Sequence, residues 1–131
     1  RYSSYGNEQK MNFIPKNALH YPGKSMADII NCLYHSEFMI GLSSGLSWLA
    51  WACEKPVVMI CGFLKPEYHF DTPYYVQNTN VCNNCWHNPK HSFDSANWMW
   101  CPENKNFECS SKISFEIVKE NIDNLIQDHN L

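Results

Sequence analysis

Four of the chain's seven cysteines fall inside residues 82–109, CNNCWHNPKHSFDSANWMWCPENKNFEC, together with three tryptophans and two histidines. Cys82, Cys85, Cys101 and Cys109 follow the spacing C-x2-C-x15-C-x7-C. A C-x2-C pair forms a knuckle that aims two sulfurs at one ion, and a second pair about 15 residues on closes a tetrahedron. The segment has few aliphatic side chains for a core of its own. A bound ion would supply the missing order, with an apparent binding free energy of about 10–16 kcal/mol in comparable small sites. Four thiolates fill the coordination sphere, so the expected site is structural rather than catalytic. Iron and zinc both suit such a donor set. A three-cysteine set completed by His87 or His91, disulfides, and free thiols are the other readings of the same residues. Trp86, Trp98 and Trp100 are expected to pack around the cluster, with substrate stacking as their alternative role. Cys32, Cys53 and Cys61 fall in apolar stretches and read as small buried hydrophobes.

A second stretch with chemical potential is Ile40-Gly41-Leu42-Ser43-Ser44-Gly45-Leu46. It joins an apolar strand-like run to a helical pattern. The first amides of a helix are unpaired and carry the positive end of its dipole. Small side chains let an anion approach them, and a phosphate or diphosphate is the natural ligand. The stretch is neither a P-loop nor a G-x-G-x-x-G turn, so a tight turn without a ligand is the competing reading.

These residues need a frame to hold them. Met26, Ile29, Ile30 and Leu33 recur at helical spacing after Ser25, which with Asp28 makes a capping box. Residues 38–41 read as a short buried strand and residues 46–53 as a buried helix, with Trp48 and Trp51 in the core. Lys55-Pro56 ends that helix. The β-branched run over residues 57–61 reads as a strand covered on both faces. Residues 62–81 read as loop. A last helix over about residues 115–127 has Ser114 as N-cap, an Ile113–Val118 staple, and an apolar stripe of Phe115, Val118, Ile122, Leu125 and Ile126. This order predicts an α/β half-domain with parallel strands. The excursion over residues 62–112 is too long for an ordinary connection.

The 131 residues are enough for one domain with a core of its own, and 44% hydrophobic with 18% charged content argues against disorder. A net charge of −3 disfavours a general nucleic-acid binder. No apolar run reaches the roughly 18 residues of a membrane helix. The odd cysteine count suits a reducing cytoplasm better than an oxidised scaffold. The start at Arg1 reads as a piece of a longer protein.

Taken together, FMIGLSSGLSWLAWACEKPVVMICGF and VCNNCWHNPKHSFDSANWMWCPENKNFEC resemble the C-terminal half of bacterial autotransporter O-heptosyltransferases. These are relatives of the lipopolysaccharide heptosyltransferases of glycosyltransferase family 9. The resemblance runs from about Tyr21 to the last helix, through GLSSGLSWLAWA, KPVVMI, NVCN-x-CW, W-x-WCP and FEC. It implies an α/β fold, the Rossmann-like C-terminal half of a GT-B glycosyltransferase, carrying an inserted four-cysteine metal finger. It implies nucleotide-sugar binding at Ser43, Ser44, Gly45 and Leu46, and a structural iron or zinc at Cys82, Cys85, Cys101 and Cys109. Where those relatives commonly place an Asp or Thr before Gly-Leu and a His soon after, this chain has Ser43-Ser44 and Ser47-Trp48. The implied division is residues 1–81 for the nucleotide-sugar part, 82–112 for the finger and 113–131 for a helix packing back. The implied activity is transfer of heptose from ADP-heptose to serine hydroxyls of an autotransporter passenger. The implied partners are a missing N-terminal domain, which would carry the general base, and further copies in a homo-oligomer, with no nucleic acid and no membrane span. A metal-finger module for interaction or nucleic-acid binding, without catalysis, is the alternative.

Overall fold

The computed structural model describes residues 16–18, 25–94, 96–97 and 99–131. Trp98, expected to pack around the cysteine cluster, lies outside them. The first described helix, α1 (Met26–Tyr34), starts at the capping box expected from sequence. The Asp28 amide donates to Ser25 Oγ at 3.1 Å, and the Ser25 amide donates to Asp28 Oδ2 at 3.0 Å. Strand β1 (Met39–Leu42), helix α2 (Gly45–Ala52) and strand β2 (Val57–Ile60) follow. A single 3-10 turn (Pro66–Tyr68) leads to a two-residue strand, β3 (Tyr75–Val76). A short α3 (Glu108–Ser111) precedes the long α4 (Phe115–His129).

The three strands are parallel in the order β1-β2-β3, with Met39 opposite Val57 and Met59 opposite Tyr75. Successive side chains of a strand point to opposite faces, and β2 is buried on both. Val57 and Met59 join Leu33, Ala50 and Phe70 on the face covered by α1 and α2. Val58 joins Tyr74, Val76 and Leu125 on the face covered by α4. The result is helix, sheet, helix, the layering that alternating α and β patterns predict.

Several local expectations change. β3 lies in residues expected as loop, because two strand residues carry no readable period. The α1 stripe narrows: Ile29 and Leu33 face the core, while Met26 and Ile30 are exposed. In α4, Ile117, Val118, Ile122 and Leu125 pack on the sheet, and Phe115 is 71% exposed. Trp48 and Trp51, expected in the core, are 43% and 48% exposed. The sheet-facing line of α2 is Ser47 and Ala50, and the two tryptophans flank it, covering the Phe70 ring.

Candidate functional site

β1 ends at Leu42 and α2 begins at Gly45, so the small-residue turn sits at the carboxyl end of a parallel sheet. Ser44 is the N-cap in extended conformation, and its side chain caps none of the helix amides. Among the described residues, nothing lies within 4 Å of where a Gly45 Cβ would stand. The amides at the start of a helix lack intrahelical partners and carry the positive end of its dipole. Ser44 and Gly45 are exposed, while Ser43 and Leu46 are half-buried. Leu46 also packs against the core beneath α1 and α2. The turn is held closed from below. Fully buried Ser47 donates from Oγ to the Leu42 carbonyl at 2.6 Å. Gly41 makes room for that bond, since a Cβ there would stand 2.5 Å from Ser47 Oγ and 2.7 Å from Met39 Cε.

One neighbour of this turn carries no signal in the sequence. His69, in the loop after β2, places Nδ1 at 3.3 Å from Ser43 Oγ. Its Nε2 is buried and has no hydrogen-bond partner among the described residues. Burial lowers its pKa from the ordinary value, which favours a neutral ring. The Tyr75 ring lies 5.5 Å away, and its hydroxyl donates to the Leu64 carbonyl at 3.0 Å. Burial, with Cys61 alongside, holds the Tyr75 phenol far above its usual range.

The four finger cysteines come into one neighbourhood. Cys82 and Cys85 hold their sulfurs 4.0 Å apart. A tetrahedral ion with metal–sulfur bonds of about 2.3 Å separates its ligand sulfurs by about 3.8 Å. The Cys85 thiol is pushed up to about 12 by burial and then by Cys82, with Cys109 and Cys101 adding to it. Burial raises the Cys109 thiol too, against the Ser110 hydroxyl. Among the described residues, no disulfide joins Cys82, Cys85, Cys101 or Cys109. Sulfurs that raise one another's pKa are sulfurs that a cation would relieve, so the donor chemistry fits one thiophilic metal. Among the described residues, no group of three or more His, Cys, Asp or Glu side chains already stands in metal-holding geometry. His91, weighed as a ligand, engages Glu103 Oε1 through Nε2 at 2.8 Å.

The knuckle is tied to the sheet through its backbone. The Asn84 amide donates to the Gly62 carbonyl at 3.0 Å, and the Trp86 amide to the Phe63 carbonyl at 2.9 Å. Gly62 is required here, because a Cβ would overlap the Cys109 carbonyl. The loop after β2 therefore touches the cysteine cluster at Gly62 and the small-residue turn at His69. Trp86 packs between Phe63 and Phe93, and Trp100 stands edge-on to both Trp86 and Phe93. These rings form the apolar filling that the segment lacks in aliphatic residues.

The chain is similar to known proteins over most of its length. The family described as glycosyltransferase family 9 (heptosyltransferase) matches residues 14–100. The autotransporter heptosyltransferase Aah of Escherichia coli is 43% identical over 114 residues, covering 83% of this chain and 29% of that protein. The inactive autotransporter heptosyltransferase BimC of Burkholderia thailandensis is 44% identical over 94 residues, 69% of this chain and 22% of that one. A crystal structure of the dodecameric iron-containing heptosyltransferase TibC with ADP-D-beta-D-heptose superposes with a TM-score of 0.82 at 40% identity. It covers 88% of this chain and 32% of TibC, a protein of enterotoxigenic E. coli H10407. The chain thus spans less than a third of the length of these relatives.

Proposed function

The chain belongs to glycosyltransferase family 9, the heptosyltransferases, and on that premise we propose that it is the nucleotide-sugar-binding portion of a protein O-heptosyltransferase. The donor is ADP-heptose, and the acceptors are serine hydroxyls of an autotransporter passenger. The observation that carries this reading is the uncapped start of α2, open above Gly45 at the carboxyl end of the sheet. Open α/β sheets bind ligands at that end. The ADP-heptose named with TibC supports the same assignment.

Transfer from a nucleotide sugar requires a stabilised diphosphate leaving group, a positioned acceptor and removal of its proton. The amides of Gly45 and Leu46 serve the first, and their charge is fixed by the fold before the sugar bond breaks. Ser43 is steadied against His69, and both side chains stand beside the diphosphate position. The general base belongs to the missing N-terminal domain, so this portion binds donor without transferring it. Residues 1–81 form the nucleotide-sugar part, residues 82–112 the finger, and residues 113–131 the returning helix. Cys82, Cys85, Cys101 and Cys109 would hold one iron or zinc. When bound, the metal supplies a cross-link and no catalytic step. The full-length enzyme is a cytoplasmic homo-oligomer, a reading supported by the dodecameric state named for TibC. Among the described residues no helix is long and apolar enough to cross a membrane.

Gly45→Asp tests the donor turn. A carboxylate in the first helical turn favours the helix but repels a diphosphate. Titration with ADP, followed by calorimetry, is expected to show binding to the natural chain. The variant should bind at least about tenfold more weakly with an unchanged or higher melting temperature. Equal affinity in the two proteins, or no binding to the natural chain, would remove the assignment.

A further inference from the structure

The metal reading leaves one feature of the FEC stretch unused, the glutamate between Phe107 and Cys109. Glu108 Oε1 accepts a hydrogen bond from the Cys82 amide at 3.1 Å. Its other oxygen, Oε2, meets Lys112 Nζ at 3.0 Å. The carboxylate is only 18% exposed, whereas the lysine is 60% exposed. One side chain thus joins the first cysteine of the first pair to the element that carries the last cysteine of the second pair. Among the described residues, no backbone hydrogen bond does this. The knuckle's own main-chain bonds run to Gly62 and Phe63, not to residues 107–112.

The placement of Glu108 is built with some care. Phe107 is in the left-handed region at φ 54°, as are Asn104 at 53° and Asn106 at 49°. This run of turns delivers Glu108 and Cys109 side by side onto the knuckle. A carboxylate beside four thiols is electrostatically unfavourable for thiolate formation. Lys112, one helical turn on, offsets its charge, leaving a strong hydrogen-bond acceptor in place. Losing a group that orients a metal ligand from behind typically lowers metal affinity by about 10- to 100-fold.

We propose that Glu108 is a positioning residue for the cysteine cluster: its carboxylate clamps the Cys82 amide and so sets the distance between the Cys82–Cys85 pair and Cys109. The inference rests on the four-cysteine metal reading and adds a residue to it. It assigns the acceptor oxygen, rather than the negative charge, as the part that matters.

The test is an anaerobic titration of the reduced full chain with cobalt(II), whose thiolate charge-transfer and ligand-field bands report a four-sulfur tetrahedral site. The natural chain, Glu108→Ala and Glu108→Gln are compared, with urea midpoints of the metal-free proteins as a folding control. Glu108→Ala should lower cobalt affinity by about 10- to 100-fold, the usual cost of losing an outer partner of a ligand. Glu108→Gln keeps an amide oxygen facing Cys82 and should restore affinity to within about threefold of the natural chain. Urea midpoints should be alike in all three proteins. Cobalt binding by Glu108→Ala equal to that of the natural chain would overturn the clamp while leaving the metal site standing. Glutamine as weak as alanine would overturn the acceptor role. No tetrahedral thiolate spectrum in the natural chain would overturn the metal reading and the clamp with it.

Discussion

At the scale of single residues, the consequential contacts are those that side chains make across long gaps in sequence. His69 reaches Ser43 from 26 positions away, and Glu108 reaches Cys82 across the same separation. The caps at Ser25 and Ser114 were legible in advance because cap and partner lie three residues apart. His69 was not, because a histidine in a loop has no periodicity, and only the fold brings it to the turn. Its environment makes a pH prediction. Burial lowers the pKa of His69 in the folded chain, while the unfolded chain takes up the proton near the ordinary value of about 6.5. The folded chain binds fewer protons in that range, so stability is held above about pH 6.5 and is lost as pH falls below it toward the lowered folded value. Urea unfolding between pH 8 and pH 5 should show this loss. His69→Gln should flatten the slope, and an unchanged slope would assign the effect to other groups.

At the scale of elements, the sequence carried the alternation of helix and strand well, because α1, β1, α2, β2 and α4 each have a period or a cap. It carried β3 and α3 poorly, since two and four residues are too few to show one. It also placed Trp48 and Trp51 too deeply. A helix that is apolar all round reads as buried, yet an eight-residue helix on one sheet face buries only one line of side chains. The small-residue turn was legible as a turn between β1 and α2. Its floor, Ser47 bonded to Leu42 beneath Gly41, was not. Helix α4 supplies an energetic test. Leu125 is fully buried against Val58, Tyr74 and Val76. Leu125→Ala should cost about 2–5 kcal/mol in urea-measured stability. A loss under about 1 kcal/mol would mean that α4 contributes little to covering that sheet face.

At the scale of the whole molecule, a three-stranded sheet holds two chemically distinct places on one margin. One is the turn at Ser43–Ser44, proposed to hold an anion, and the other is the cysteine cluster, proposed to hold a cation. The loop after β2 touches both. On the proposed donor-binding reading, incubation with ADP-heptose and an autotransporter passenger should release no ADP above the uncatalysed rate. Adding the N-terminal portion of a full-length relative should be required for turnover, and release by the chain alone would place a base within these residues. That Cys82 and Cys85 come close was legible, because three positions separate them in sequence. How the finger is moored was not, because Gly62, Phe63 and Glu108 stand outside the C-x2-C pattern. That mooring has a consequence for how such a chain can vary over evolutionary time. The knuckle is pinned at Gly62 and Phe63 and clamped at Glu108, while Ala96 and Asn97 between the two pairs are exposed. Lengthening a flexible loop twofold costs only about 0.6 kcal/mol. The span between the pairs is thus free to acquire new length and new binding specificity as lineages diverge, while the anchors keep the sheet beneath it unaltered.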